Sequence, residues 1–164
     1  MLKKIMEKAH SWQTRFSFGS TSAIITNLAL MAGLHSAANA KISIIGGILL
    51  IALVDNISDS LGIHIYQESE KIESREVWTS AILNFISRIF VSLSFMALIL
   101  ILPLNAAIIS SIVWGLLLLA AISYAIAKNG AVNSYLAILT HVLIAVVVIL
   151  LSSFVGDLLF TRSN

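Results

Sequence analysis

The sequence predicts an all-α membrane protein with five transmembrane helices, preceded by an amphipathic N-terminal helix. Apolar residues make up 59% of the 164 residues and charged residues only 11%, whereas a soluble domain is about 45–50% apolar and about 25% charged. The mean hydropathy is +0.98. The apolar residues also form five stretches near the length of about 20 residues that spans a bilayer. These stretches lie at about 17–36, 42–66, 79–102, 105–127 and 134–159.

The first 16 residues alternate apolar and basic positions at helical spacing. This pattern predicts an amphipathic helix that lies on the cytoplasmic leaflet, ahead of a single transmembrane domain at 17–160. The alternative is a charged tail that frays. The apolar positions are Leu2, Ile5, Met6, Ala9, Trp12 and Phe16, and the basic ones are Lys3, Lys4 and Lys8.

Lysine and arginine set the expected orientation, because they are concentrated in cytoplasmic loops. Of the ten basic residues, Arg88 falls within the third span, and Lys41 and Arg162 share one side of the membrane. The other seven share the opposite side. We therefore expect a cytoplasmic N-terminus and a C-terminus on the other side. The seven are Lys3, Lys4, Lys8, Arg15, Lys71, Arg75 and Lys128.

The first two spans are unusually polar. The first contains Ser22, Thr26 and Asn27, and the second contains Asp55 and Asp59. Polar faces cannot be satisfied by lipid tails, and three further spans are few to cover them. The sequence therefore predicts a homodimer joined through the first two spans.

The remaining spans are more apolar. Pro103 makes a tight turn between the third and fourth. Residues 108–127 and 135–155 are almost free of charge, which is typical of lipid-facing helices.

Asp55 and Asp59 are four residues apart, so a helix places them on one face. A charge near the bilayer centre costs at least about 2.5–3.5 kcal/mol, and two such charges require compensation. One hypothesis is a cation pathway, in which these carboxylates bind a divalent ion or carry protons. The other is a structural pair, either neutralised by Arg88 from a matching depth in the third span or with one of the two aspartates held protonated.

Acidic residues follow the second span, among them Glu70, Glu73 and Glu76. They are either the cytoplasmic entry for cations or a solvated connection paired with Lys71 and Arg75. Helical spacing alone allows both interpretations.

Several function classes are not expected. The chain has no cysteine, which excludes disulfides and thiolate metal sites. The net charge is only +2, and the basic residues are dispersed, so nucleic acid is not an expected partner. No phosphate-binding loop, zinc-protease motif or serine-nucleophile motif occurs. We therefore expect neither an enzyme nor a resident cofactor.

Four stretches together resemble the vacuolar iron transporter family, whose members move ferrous iron and manganese. Residues 18–33 resemble its first span, and Ile57–Gly62 with the following Glu68–Glu70 resembles its second. Residues 98–104 resemble the end of its third span, and residues 125–156 resemble its last hairpin.

The resemblance implies a dimer with a pathway at the two-fold axis, between the first two spans of each subunit. The family's first-span Asp falls on Ser22 here, its metal-binding Met falls on Asp59, and a further second-span Glu falls on Ile51. The family's long acidic cytoplasmic insert is cut to about a dozen residues, in which Glu70, Glu73 and Glu76 stand for its start.

The sequence therefore predicts a dimeric transporter that exports divalent metal, iron(II) or manganese(II), from the cytoplasm in exchange for protons. Asp59 and Asp55 would be the intramembrane ligands, and Ser22, Thr26 and Asn27 would add neutral oxygens. Two alternatives stay open. One is a membrane scaffold or regulatory protein that kept the fold without transport, and the other is a transporter of another solute or of protons alone.

Overall fold

The computed structural model describes residues 2–128 and 133–160, with side chains described at residue 17 and from residue 19 onward. These residues form five long helices. Helix α1 is Leu2–Leu34, and α2 is Ala40–Ser69 with a π-helical turn at Ile51–Asp55. Helix α3 is Ser74–Ile101, α4 is Leu104–Lys128, and α5 is Ser134–Phe160. Arg162 and the side chains of the predicted amphipathic helix lie outside what is described.

The all-α class is confirmed, with no strand in the described ranges. Helices α2 to α5 are each long and apolar enough to cross a membrane, as expected of an integral membrane protein. The apolar part of α1, Gly19–Leu34, is shorter. The count of five spans therefore stays a prediction.

Helix α1 continues without a break through residues 16 and 17, where the sequence suggested a boundary between a surface helix and a span. No glycine or proline occurs in residues 1–18, so nothing in the local sequence ends the helix there. The placement of residues 2–16 on the cytoplasmic leaflet stays a prediction.

Helix α1 is the central helix of the bundle. It packs against α3, α4 and α5, while α2 lies outside it and packs mainly along α3. The apolar core between these helices includes Ile24 and Leu28 of α1, Phe95 and Ile99 of α3, and Leu119 of α4. The acid pair of α2 therefore faces α3 within one subunit.

Candidate functional site

Three side chains of α2 surround the guanidinium group of Arg88, which lies at the midpoint of α3. Arg88 Nη2 donates to Asp55 Oδ2, and Arg88 Nε donates to Asn56 Oδ1 at 2.5 Å. Arg88 Nη1 lies 2.5 Å from Asp59 Oδ2, an ion pair whose angles fall outside hydrogen-bond geometry. Each nitrogen of the guanidinium thus faces a different side chain of α2. We call Asp55, Asn56, Asp59 and Arg88 the acid–arginine cluster.

The local backbone of α2 helps to place these side chains. The π-helical turn ends at Asp55, and regular α-helix resumes at Asn56. A π-helical turn is rare and is found frequently at functional sites. Asn56 also donates its side-chain amide to Ala52 O at 2.9 Å, within this turn, which orients its carbonyl oxygen toward Arg88.

The acid–arginine cluster has two carboxyl groups and one guanidinium group. Arg88 is buried, with 1% of its side chain exposed, whereas the side chains of Asp55 and Asp59 are 43% and 39% exposed. With both carboxyl groups ionised, the guanidinium would balance only one of them. The neighbouring exposed residues Ile57 and Leu61 are apolar. The two carboxyl groups therefore lie at the middle of α2 on a surface that is otherwise apolar.

Sequence reasoning missed a polar stripe along α3. Asn84 donates to Ser60 Oγ of α2 at 3.2 Å, and Ser92 accepts from Asn27 Nδ2 of α1 at 3.1 Å. The stripe therefore joins α3 to α2 and to α1. The signal was present in the sequence as polar residues at helical spacing in an apolar span. Its buried members are Ser80, Asn84, Ser87, Arg88 and Ser92.

Two of the three side chains predicted to supply neutral oxygens from the first span, Thr26 and Asn27, donate hydrogen bonds within α1 or to α3. Thr26 Oγ1 donates to Ser22 O at 2.9 Å, and Asn27 Nδ2 donates to Ala23 O at 2.8 Å. Asn27 Oδ1 is buried and accepts no hydrogen bond from the described residues. Within one subunit, the hydrogen bonds of the described residues link Asn27 to the stripe on α3 and not to Asp55 or Asp59.

The predicted entry residues lie at the end of the bundle where α2 meets α3. Glu70 follows the last residue of α2, Glu73 precedes the first residue of α3, and Glu76 is in the first turn of α3. All three are exposed. Glu73 and Glu76 also lie where the positive end of the helix dipole favours carboxylates. This placement fits both the cation entry and the solvated connection.

Across the described residues, no three side chains of histidine, cysteine, aspartate or glutamate converge as a metal-ion site. Asp55 and Asp59 are therefore not joined by a third side chain of these types in the part of the chain that the structure describes.

Comparisons with protein-family models, curated proteins and solved structures find no match. The similarity to vacuolar iron transporters therefore rests on the sequence stretches given above.

Proposed function

We propose that this protein is a homodimeric transporter that exports divalent metal cations, iron(II) or manganese(II), from the cytoplasm in exchange for protons. The proposal rests on one observation, two partly exposed carboxyl groups that share one guanidinium group in the middle of a long apolar helix. With both carboxyl groups ionised, one negative charge is left over, and such a charge is costly in lipid. A bound cation or a proton removes the cost, and competition between the two couples their movements.

The homodimer follows from the exposure of the two carboxylates. Because the surface around them is apolar, this face of α2 is unsuited both to water and to lipid tails. Two copies related by a two-fold axis would bring four carboxylates and two guanidinium groups together. Carboxylate oxygens are the hard ligands that divalent cations bind. On this proposal Ser22, Thr26 and Asn27 line the pathway, and Glu70, Glu73 and Glu76 attract cations at its cytoplasmic mouth.

The substitution Asp59→Asn tests the transport site. Asp59→Asn leaves Arg88 paired with Asp55 and removes the surplus charge, so the fold should persist while manganese(II) flux into proteoliposomes falls about tenfold or more. Asp55→Asn should weaken flux less, because Asp59 occupies the ligand position implied by the family resemblance. Acidification should also weaken metal binding, because protons compete for the same oxygens.

The matched control is Ser58→Ala, on the exposed side of the same helix, which should retain flux. Light scattering should find each variant dimeric. Full manganese flux in the Asp59→Asn variant would exclude this residue as the transport site.

The five-span topology has its own test. An odd number of spans places the termini on opposite sides, and the native chain has no cysteine to interfere. In intact cells, an impermeant maleimide should modify a cysteine introduced by Ser163→Cys and not one introduced by Lys3→Cys. Equal labelling of both sites would contradict five spans and support an even number.

A second candidate function is a membrane scaffold that does not transport. The contacts of Arg88 with Asp55, Asn56 and Asp59 favour it, because buried networks of this kind also serve packing alone. Reconstituted wild-type protein without metal-dependent flux, together with normal stability and dimerisation, would favour the scaffold.

A further inference from the structure

A second cluster of metal-type donors lies at the end of the bundle opposite the acidic connection. His35 and Ser36 are in the turn after α1, and Asp157 is near the end of α5. Ser36 Oγ lies 3.1 Å from His35 Nε2 and donates to Asp157 Oδ1. His35 Nε2 lies 3.6 Å from the same carboxylate oxygen. One imidazole nitrogen, one hydroxyl oxygen and one carboxylate oxygen thus form a compact triangle.

The other nitrogen of the His35 ring fixes the tautomer. Nδ1 lies 2.7 Å from Ala32 O, and because a carbonyl oxygen only accepts, Nδ1 must carry the proton. In a neutral imidazole, Nε2 then presents its lone pair to Ser36 and Asp157. A ring N–H bonded to a backbone carbonyl is the usual arrangement that orients a metal-binding histidine.

The triangle offers lone pairs to a cation. In a neutral ring with the proton on Nδ1, His35 Nε2 is an acceptor like Asp157 Oδ1, and the hydroxyl proton of Ser36 is donated to Asp157. A cation near both acceptors, or a second proton on the ring, would remove their mutual repulsion. The side chains of His35 and Asp157 are 34% and 55% exposed, so an ion from the aqueous phase can reach them.

The backbone beneath the triangle is held by a close contact between two helices. A Cβ atom at Gly156 would overlap Gly33 O and lie 2.8 Å from Gly33 C. Gly156 is next to Asp157, and Gly33 is two residues before His35. Asp157 therefore lies on a helix that closely approaches the end of α1, and His35 and Ser36 lie in the turn that directly follows it, so the three donors are held near one another.

We propose that His35 Nε2, the Asp157 carboxylate and Ser36 Oγ bind a first-row divalent transition-metal ion, with water in the remaining positions. Mixed imidazole and oxygen donors suit this class of ion. The metal site itself is argued only from the contacts of His35, Ser36 and Asp157. Because it lies at the end of the bundle opposite the proposed entry, we assign it as the point where exported metal leaves the protein, and this role rests on the proposed function.

Manganese(II) binding to the full-length dimer tests the site, in protein purified without a histidine tag. The Asp59→Asn background removes the proposed transport site. Pulsed electron paramagnetic resonance should show ¹⁴N coupling from one imidazole per bound ion. His35→Gln should abolish this coupling, and His35→Gln or Asp157→Asn should weaken binding about tenfold or more. The control His141→Gln alters a histidine that lies 2.8 Å from Ser123 Oγ, away from the triangle, and should retain both.

Two results would overturn the site. One is coupling that persists in the His35→Gln variant. The other is an absence of bound manganese. A doubly protonated His35 ring in ¹⁵N spectra would then show that a proton occupies the site in place of the metal. Manganese bound at His35 in a wild-type protein without flux would remove the proposed function and leave the site intact. Manganese flux without manganese bound at His35 would leave the proposed function intact and remove the site.

Discussion

Replacing Arg88 by methionine should be among the most destabilising single substitutions in this protein. Methionine keeps an unbranched side chain in the buried position, although a shorter one, and leaves Asp55 and Asp59 side by side without a cation. Removing one partner of a buried ion pair costs about 3–5 kcal/mol. Because both carboxylates are partly exposed, we expect a loss near the lower limit, about 3 kcal/mol. Unfolding of the purified protein by SDS titration in mixed micelles, followed by circular dichroism, would measure it.

Two further variants separate charge from packing. Arg75→Met replaces an exposed arginine in the first turn of the same helix and should change stability little. Arg88→Met combined with Asp55→Asn and Asp59→Asn removes all three charges and should recover most of the loss, because replacing a complete buried ion pair is often neutral. An Arg88→Met variant as stable as the wild type would show that the cluster does not support the fold.

Alanine at Gly156 should have a comparable effect for a steric reason. The new Cβ would overlap the carbonyl oxygen of Gly33 and lie 3.1 Å from Gly33 Cα. These are backbone atoms, so no side chain can rotate away and α1 and α5 must separate. Overpacking usually costs about 1–3 kcal/mol, and a backbone contact belongs at the upper end of that range. The same SDS titration would measure the loss.

The matched controls are Gly46→Ala and Gly62→Ala, where a Cβ meets no atom within 4 Å. Both glycines lie inside α2, so alanine should stabilise the helix by about 0.5–1 kcal/mol. If Gly156→Ala behaved like these two controls, the close approach of α1 and α5 would be wrong. Gly156→Ala should lower the free energy of unfolding, and the two controls should raise it. The comparison therefore depends on the direction of each change and not on its absolute value in a given detergent.

The long apolar helices could be predicted from the sequence because their signal is local. Their predicted positions agree with α2 to α5 to within about five residues, since hydropathy and the turn at Pro103 depend on neighbouring residues alone. The amphipathic segment predicted at 1–16 and the apolar segment that follows it belong to one helix, α1. Both patterns are helical, so the change from one to the other does not by itself end a helix.

The candidate site was predictable only in part. The shared face of Asp55 and Asp59 follows from their spacing, and both contact Arg88 as that spacing requires. The participation of Asn56 was not predictable, because a regular helix turns residues 55 and 56 about 100° apart. In the structure Asp55 and Asn56 both contact the guanidinium group of Arg88, at the point where the π-helical turn meets the α-helix. No pattern in the sequence predicts that turn.

The sequence alone therefore determined the helical class, the four long apolar helices α2 to α5 and the occurrence of two acidic residues within one of them, because each depends on composition or on spacing within one helix. Only the tertiary structure decided which side chains meet. Asn27 bonds to Ser92, and Ser36 bonds to Asp157 across 121 positions of the chain. Such partners depend on how helices rotate and cross when they pack, and that is set by the fit of many side chains at once.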